Sequence, residues 1–340
     1  MRKYVLLGIL IGLLSLLALP VNAGGGQDLG NAIATQQRHN AELLSAQGVV
    51  GTAVGYTAEG VPSVLVFTRS TGVAGLPARL DSIPVTVHVT GEVSALGIEA
   101  NAASRASGGA KIDPTKRFSR PVPIGVSTGN ANECAAGTIG ARVTDGVNVY
   151  ALSNNHVYAR ENAASIGEQV LQPGRYDTNC VYDPNNDLGN LSAFVPIVFS
   201  TAASNTIDAA IAGSTVAKLG NATPSNGYGI PKITPMAATV GQAVQKYGRT
   251  TSLTKGTIVG INATITVNYG AAGTAQFVDQ IVILGNKPFS KAGDSGSLIV
   301  TNPGRNPVGL LFAGSSSGYT FANRIDLVLS GLGVTIDGEP

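Results

Sequence analysis

The alternation of apolar and polar positions changes character several times along the chain. Tyr4 to Pro20 is almost wholly apolar. From Gln27 to Gln47 polar residues dominate, and Leu29, Ile33, Leu43 and Leu44 form a partial apolar stripe at helical spacing that stops at Gly48, which predicts a helix. Val49 to Tyr56 and Pro62 to Thr68 are apolar runs of strand length on either side of Thr57-Ala58-Glu59-Gly60, the pattern of a β-hairpin. Ile83 to Thr90 alternates, with Val85, Val87 and Val89 on one face and His88 on the other. His88 is therefore expected in water, as is His39 in the charged middle of the helix. Residues 24–100 read as a small α+β domain. Asn101 to Arg120 has no period, is rich in Gly and Ser, and carries five basic residues. It reads as a linker whose charges either keep it solvated or mark a processing site.

From Pro121 onward, short apolar runs alternate with Gly, Pro and Asn turns. Thr138 to Thr144 and Val147 to Ser153 flank Asp145-Gly146, a strong hairpin signal. Further strands are expected at Leu191–Ser200, Ile207–Ala212, Ala243–Tyr247, Gly256–Ile261, Thr264–Tyr269, Gln280–Leu284, Leu298–Thr301 and Val308–Ala313, with a helical turn at Arg324–Leu332. So many short strands predict a mainly β fold, a sandwich or a pair of barrels.

Composition narrows the setting. Met-Arg-Lys, a short apolar core and the small residues Val21 and Ala23 before Gly24 describe a secretory signal peptide over residues 1–23, with an apolar run short for a membrane span. Without Arg2 and Lys3, the remaining 20 basic residues balance 20 acidic ones. That balance argues against a nucleic-acid partner. The mature protein is expected to be secreted, free of the membrane and monomeric. Cys134 and Cys180 are the two cysteines, and an oxidising compartment favours a bridge between them. Two cysteines and three histidines form no metal-ligand cluster, so neither metal nor cofactor is expected.

Candidate chemistry centres on Gly293-Asp294-Ser295-Gly296, before the apolar run Leu298-Ile299-Val300. A turn before a buried strand would need nothing more. A nucleophilic serine would need a base, and the base a third group to orient it. His156 follows a predicted strand directly, in Leu152-Ser153-Asn154-Asn155-His156, which places an imidazole at a barrel rim. Asp208 lies in the apolar run Ile207 to Ala212. A buried carboxylate needs partners there, either the ring N–H of a histidine or backbone N–H groups at a strand start. The order His156, Asp208, Ser295 differs from that of the α/β-hydrolases, whose Gly-x-Ser-x-Gly also fails at Ser297, and from the subtilisin order.

Residues 121–335 resemble the chymotrypsin/trypsin-like serine peptidases of bacterial type. Ala151-Leu152-Ser153-Asn154-Asn155-His156-Val157, Asn205 to Ala212, Gly293 to Ser297 and Gly309 to Gly314 match the family's His, Asp, nucleophile and pocket-wall segments in order, with triad spacings of 52 and 87 residues. The resemblance implies two six-stranded antiparallel β-barrels with the site between them, and a serine endopeptidase acting on polypeptides. It implies His156 as base then acid, Asp208 as its orienting partner, Ser295 as nucleophile, and the backbone N–H groups of Gly293 and Ser295 as the oxyanion hole. The chain departs from the family in several places. No cysteine flanks His156, so a Cys134–Cys180 bridge would be a different staple. Phe289 stands at the pocket base and Phe312 where relatives usually have Ser, while Gly314 matches. These imply a small or apolar pocket. They also leave open a silent module of the same fold that binds extended peptides. Asp294 has no obvious N-terminal amine to pair with. The domain before the linker lies outside the resemblance, either a pro-domain or an accessory module.

Overall fold

The computed structural model describes residues 25–99 and 112–340. The expected signal peptide and residues 101–111 of the expected linker lie outside the described residues. Residues 112–120 run along the first barrel: the Phe118 N–H donates to Gln172 Oε1, and Arg117 and Arg120 reach the Asn185 carbonyl.

Two rings of antiparallel strands form the body of the molecule. In the first, Ser127–Asn130, Gln169–Leu171, Asp187–Phe194, Ala210–Ser214 and Val149–Ser153 pair in that order. Ala135–Thr138 and Ala141–Thr144, two halves of one bent strand, pair with the two ends and close the ring. In the second, Ala243–Gly248, Leu298–Thr301, Pro307–Ser315, Thr320–Arg324, Thr274–Leu284 and Ser252–Asn268 pair in sequence, and the last returns to the first. Closure removes the sheet edges that each barrel would otherwise expose. Each ring has its own apolar filling, around Ile124, Tyr158 and Leu188 in the first and Phe277, Phe312 and Phe321 in the second. Cys134 and Cys180 are bridged, tying the start of the bent strand to the loop beyond Arg175–Thr178.

Several strand boundaries differ from the sequence expectation for local reasons. The run expected at Leu191–Ser200 is a strand over Asp187–Phe194, ending before Pro196, which has no N–H for a ladder. Ile207 to Ala209 precede the strand Ala210–Ser214. Gly256–Ile261 and Thr264–Tyr269 belong to one 17-residue strand, Ser252–Asn268, whose register shifts past Asn262.

The N-terminal unit is continuous with the second barrel. Val49–Tyr56 pairs antiparallel with the outer half of Ser252–Asn268, Gly51 opposite Ile265. The expected hairpin is present, and Ile83–Val89 lies parallel to Pro62–Thr68. Its faces follow the expectation from alternation only at the start: Val85 packs partly buried against Val64 and Val66, but Val87 and Val89 are 47% and 42% exposed. His88 turns inward, against the Phe67 ring and within 3.0 Å of the Tyr319 hydroxyl, and burial lowers its pKa. Thr86 does the same by bonding Ser63 Oγ. The helix Gly25–Ser45 buries Ala32, Thr35, Gln36 and Leu43 rather than a wholly apolar stripe. Gln36 and Asn40 donate to Asn262 O and Thr264 Oγ1 of the long strand.

Phe67 carries much of this union, since its ring packs on Tyr319 and edge-on to Phe321. Phe67→Ala is expected to cost about 3–5 kcal/mol, the usual range for emptying a core phenylalanine site. Thermal or denaturant unfolding checks this, and a loss below about 1 kcal/mol would contradict a shared core.

Candidate active site

His156, Asp208 and Ser295 converge where the two barrels meet. The strand Val149–Ser153 delivers His156 in a short helix, Asn155–Tyr158. His156 Nδ1 lies 2.6 Å from Asp208 Oδ2, and the His156 backbone N–H donates to Asp208 Oδ1 at 3.2 Å. Both residues are buried, His156 4% exposed and Asp208 0%. Both partners considered for Asp208 are therefore present, the imidazole and a backbone N–H. A third was not foreseen: the Tyr269 hydroxyl donates to Asp208 Oδ2 at 2.8 Å. Burial and the Asp208 charge push the Tyr269 pKa well above its ordinary value, so the phenol keeps its proton. The backbone beside Asp208 is held too, its N–H by Asn323 Oδ1 and its carbonyl by Asn154 Nδ2.

Burial disfavours charged His156, but the charge and hydrogen bond of Asp208, with Glu161 and Glu133 farther off, more than offset it and raise the pKa. His156 Nε2 is buried without a hydrogen-bond partner. Ser295 Oγ donates to the Phe312 carbonyl at 3.2 Å rather than to His156.

The loop of Ser295 is fixed by Asp294, whose side chain is fully buried. Its Oδ1 accepts the N–H groups of Thr250 and Thr251, and its Oδ2 the Thr251 hydroxyl and the Lys291 N–H. In place of an N-terminal amine, Lys246 Nζ lies 3.5 Å from Oδ2, buried from the preceding strand. Burial lowers the Lys246 pKa, opposed by Asp294. Gly293, at φ 94°, presents its N–H to the cleft, where it meets the Leu96 carbonyl at 2.5 Å. Phe289 is buried below this loop with Ile258, Ile283 and Leu311, and the Leu96 side chain packs against the same cluster. The Phe312 ring points away into the core, 4.8 Å from that of Phe277, and only its carbonyl faces the cleft. Gly314 leaves room for Leu96: a Cβ there would come within 2.8 Å of Leu96 Cδ1.

A family model described as the Nal1 C-terminal domain matches residues 176–325. Streptogrisin-A of Streptomyces griseus is 37% identical over 103 residues, 29% of this chain and 32% of that protein's length. Among solved structures, a glutamic acid specific serine protease is 21% identical at a TM-score of 0.46, covering 63% of this chain and all of the other. Protease A of Thermobifida fusca gives 21% and 0.46, covering 64% and 98%. The paired six-stranded barrels and the match to Streptogrisin-A give the chain a chymotrypsin-like serine-protease fold.

In a Ser295→Ala chain, His156 is expected to titrate above the ordinary value of about 6.5 and His88 below it. Any reaction that uses neutral His156 as a base would then fail as pH falls through that raised pKa. Asp208→Asn in the same background removes the opposing charge, so burial should carry the His156 pKa below 6.5. NMR titration of the imidazole C–H signals checks the order, and a His156 pKa unmoved by Asp208→Asn would contradict it.

Proposed function

We propose that the chain is a secreted serine endopeptidase that hydrolyses peptide bonds through an acyl-enzyme. The observation that carries this reading is the state of His156: Nδ1 is taken by a buried carboxylate, while Nε2 is buried with nothing to bond. A buried polar atom left unsatisfied costs about 1–3 kcal/mol and calls for a reason. A base waiting for a serine proton supplies one. In this reading the Ser295 hydroxyl leaves the Phe312 carbonyl for Nε2. The oxygen then attacks a substrate carbonyl, and His156 takes the proton and later gives it to the departing amine. Asp208 holds the imidazole in one tautomer and stabilises its charged form. The N–H groups of Gly293 and Ser295 receive the developing oxyanion, each worth about 2.7–4 kcal/mol in the transition state.

In this reading the substrate is a polypeptide. Secretion is supported by the leader-like N-terminal sequence and the Cys134–Cys180 bridge. No helix among the described residues is long and apolar enough to cross a membrane. Residues 25–99 act as a pro-domain to the peptidase domain. A second reading, a silent module that holds extended peptides, draws on one observation: the Ser295 hydroxyl bonds Phe312 rather than His156.

A fluorophosphonate probe is expected to label the processed wild-type protein and to spare Ser295→Ala. Asp208→Asn should slow labelling and peptide hydrolysis by about 10⁴-fold, as when an imidazole is left in the wrong tautomer. Folded, processed wild type that takes no label would leave the peptide-binding module as the function.

A further inference from the structure

Residues 93–99 cross the cleft as an extended segment joined to both barrels. On the N-terminal side, Val93–Ala95 pairs antiparallel with the end of Pro307–Ser315, Ser94 opposite Gly314. The Leu96 N–H donates to the Phe312 carbonyl at 3.1 Å, and the Leu96 carbonyl accepts from Gly293 N–H at 2.5 Å. On the other side, Ile98–Glu99 pairs antiparallel with Ala135–Ala136 of the first barrel. Between the two, Gly97 lies against His156: a Cβ there would stand 3.2 Å from Cδ2 and 3.7 Å from Nε2 of the ring. Ser295 Oγ and the Leu96 N–H donate to the same oxygen, that of Phe312, which brings Leu96 beside the serine.

We propose that this segment is the chain's own first substrate and that the site cleaves the Leu96–Gly97 bond. The inference rests on the peptidase reading and adds to it the bond, the register and the side chain preferred before the cut. The Leu96 carbonyl already accepts from the Gly293 N–H, and Gly97 already lies against the imidazole that must protonate its nitrogen. Ser295 Oγ adds to the Leu96 carbonyl carbon as its proton passes to His156. The C–N bond to Gly97 breaks, and His156 returns the proton to the Gly97 amine. One water then hydrolyses the Leu96 ester on Ser295. The products are a chain ending in the Leu96 carboxylate and a chain beginning at Gly97.

One feature distinguishes the segment from a strand that merely covers the site. Leu96 packs, partly buried, beside Gly314 and against the Phe289 cluster, so the bond is presented with its side chain engaged. The same apolar contact implies that other polypeptides are cut after apolar residues, since a charge there would face Phe289 and its neighbours.

Intact mass and N-terminal sequencing of the full chain test the proposal. Wild type is expected to yield a chain starting at Gly97 and a fragment ending at Leu96, at a rate unchanged by dilution, while Ser295→Ala stays whole. Leu96→Asp should slow the split by about 100-fold or more. The synthetic peptide Glu-Val-Ser-Ala-Leu-Gly-Ile-Glu, given to processed enzyme, should be cut between Leu and Gly, with kcat/KM lowered to a similar degree when Asp replaces Leu. A wild type that takes the fluorophosphonate probe but stays whole, or begins elsewhere than Gly97, overturns this inference and leaves the peptidase reading standing. A wild type that neither takes the probe nor splits overturns both.

Discussion

A fully buried carboxylate, Asp294, sets the geometry of the cleft. An ionised side chain cut off from water must collect its donors from the protein or unfold it. Asp294 collects four hydrogen bonds and the Lys246 ammonium, most of them from the turn between Ala243–Gly248 and Ser252–Asn268. Meeting that demand draws the loop down onto the turn and leaves Gly293 N–H and Ser295 facing the cleft. The first barrel closes on the same loop from the other side. The Thr138 N–H donates to the Ser295 carbonyl and its hydroxyl to the Gly293 carbonyl. Arg249, from the same turn, pairs with Asp177 of the first barrel in near-complete burial. Gly296 sits at the tightest point, where a Cβ would come within 2.3 Å of the Ser153 hydroxyl and the Thr138 carbonyl. The two barrels are thus joined through the backbone that carries Ser295, and shifting one against the other would move the Gly293 N–H.

The cleft is also a place where strands can be added. Past their barrel partners, the end of Pro307–Ser315 and the outer side of Ala135–Thr138 leave short lengths of edge open to it, and residues 93–99 take both. Strand addition fixes a peptide by main-chain bonds and leaves side-chain choice to the pockets. Here the main-chain bonds hold Leu96 between Gly293 and Phe312 and keep Gly97 beside His156, and they exclude any other peptide while they last. Presentation of a bond and closure of the site are therefore one set of contacts.

The sequence made part of this legible. His156, Asp208 and Ser295 stood out because each is an expensive residue in an apolar or turn context, in an order that one arrangement of barrels requires. The two barrels were legible as a count of short strands. Tyr269, Lys246 and Asn323 were not, because alternation can place a polar residue on a face but cannot name its partner, and Asp208 and Asp294 lie far along the chain from them. His88 went the same way: period two located its strand, but the inward face was chosen by a phenol from the second barrel. Leu96 lies between strands of three and two residues, too short to show a period, and its partners are about 200 residues further along the chain.

The departure at Phe312 follows from the same division between backbone and side chain. At this position the cleft uses only the carbonyl, which accepts from Leu96 N–H and from Ser295 Oγ. The ring is free to pack on Phe277, and the hydroxyl that reaches Asp208 comes from Tyr269. Tyr269 directly follows Ser252–Asn268, the strand whose outer half holds the N-terminal hairpin and whose Asn262 and Thr264 bond the helix. One strand therefore carries the docked N-terminal unit along its length and a hydrogen-bond partner of the Asp208 carboxylate at its end. Its pairing with the hairpin orders the strand that leads to Tyr269, so the unit that supplies Leu96 to the cleft also steadies the group that orients His156.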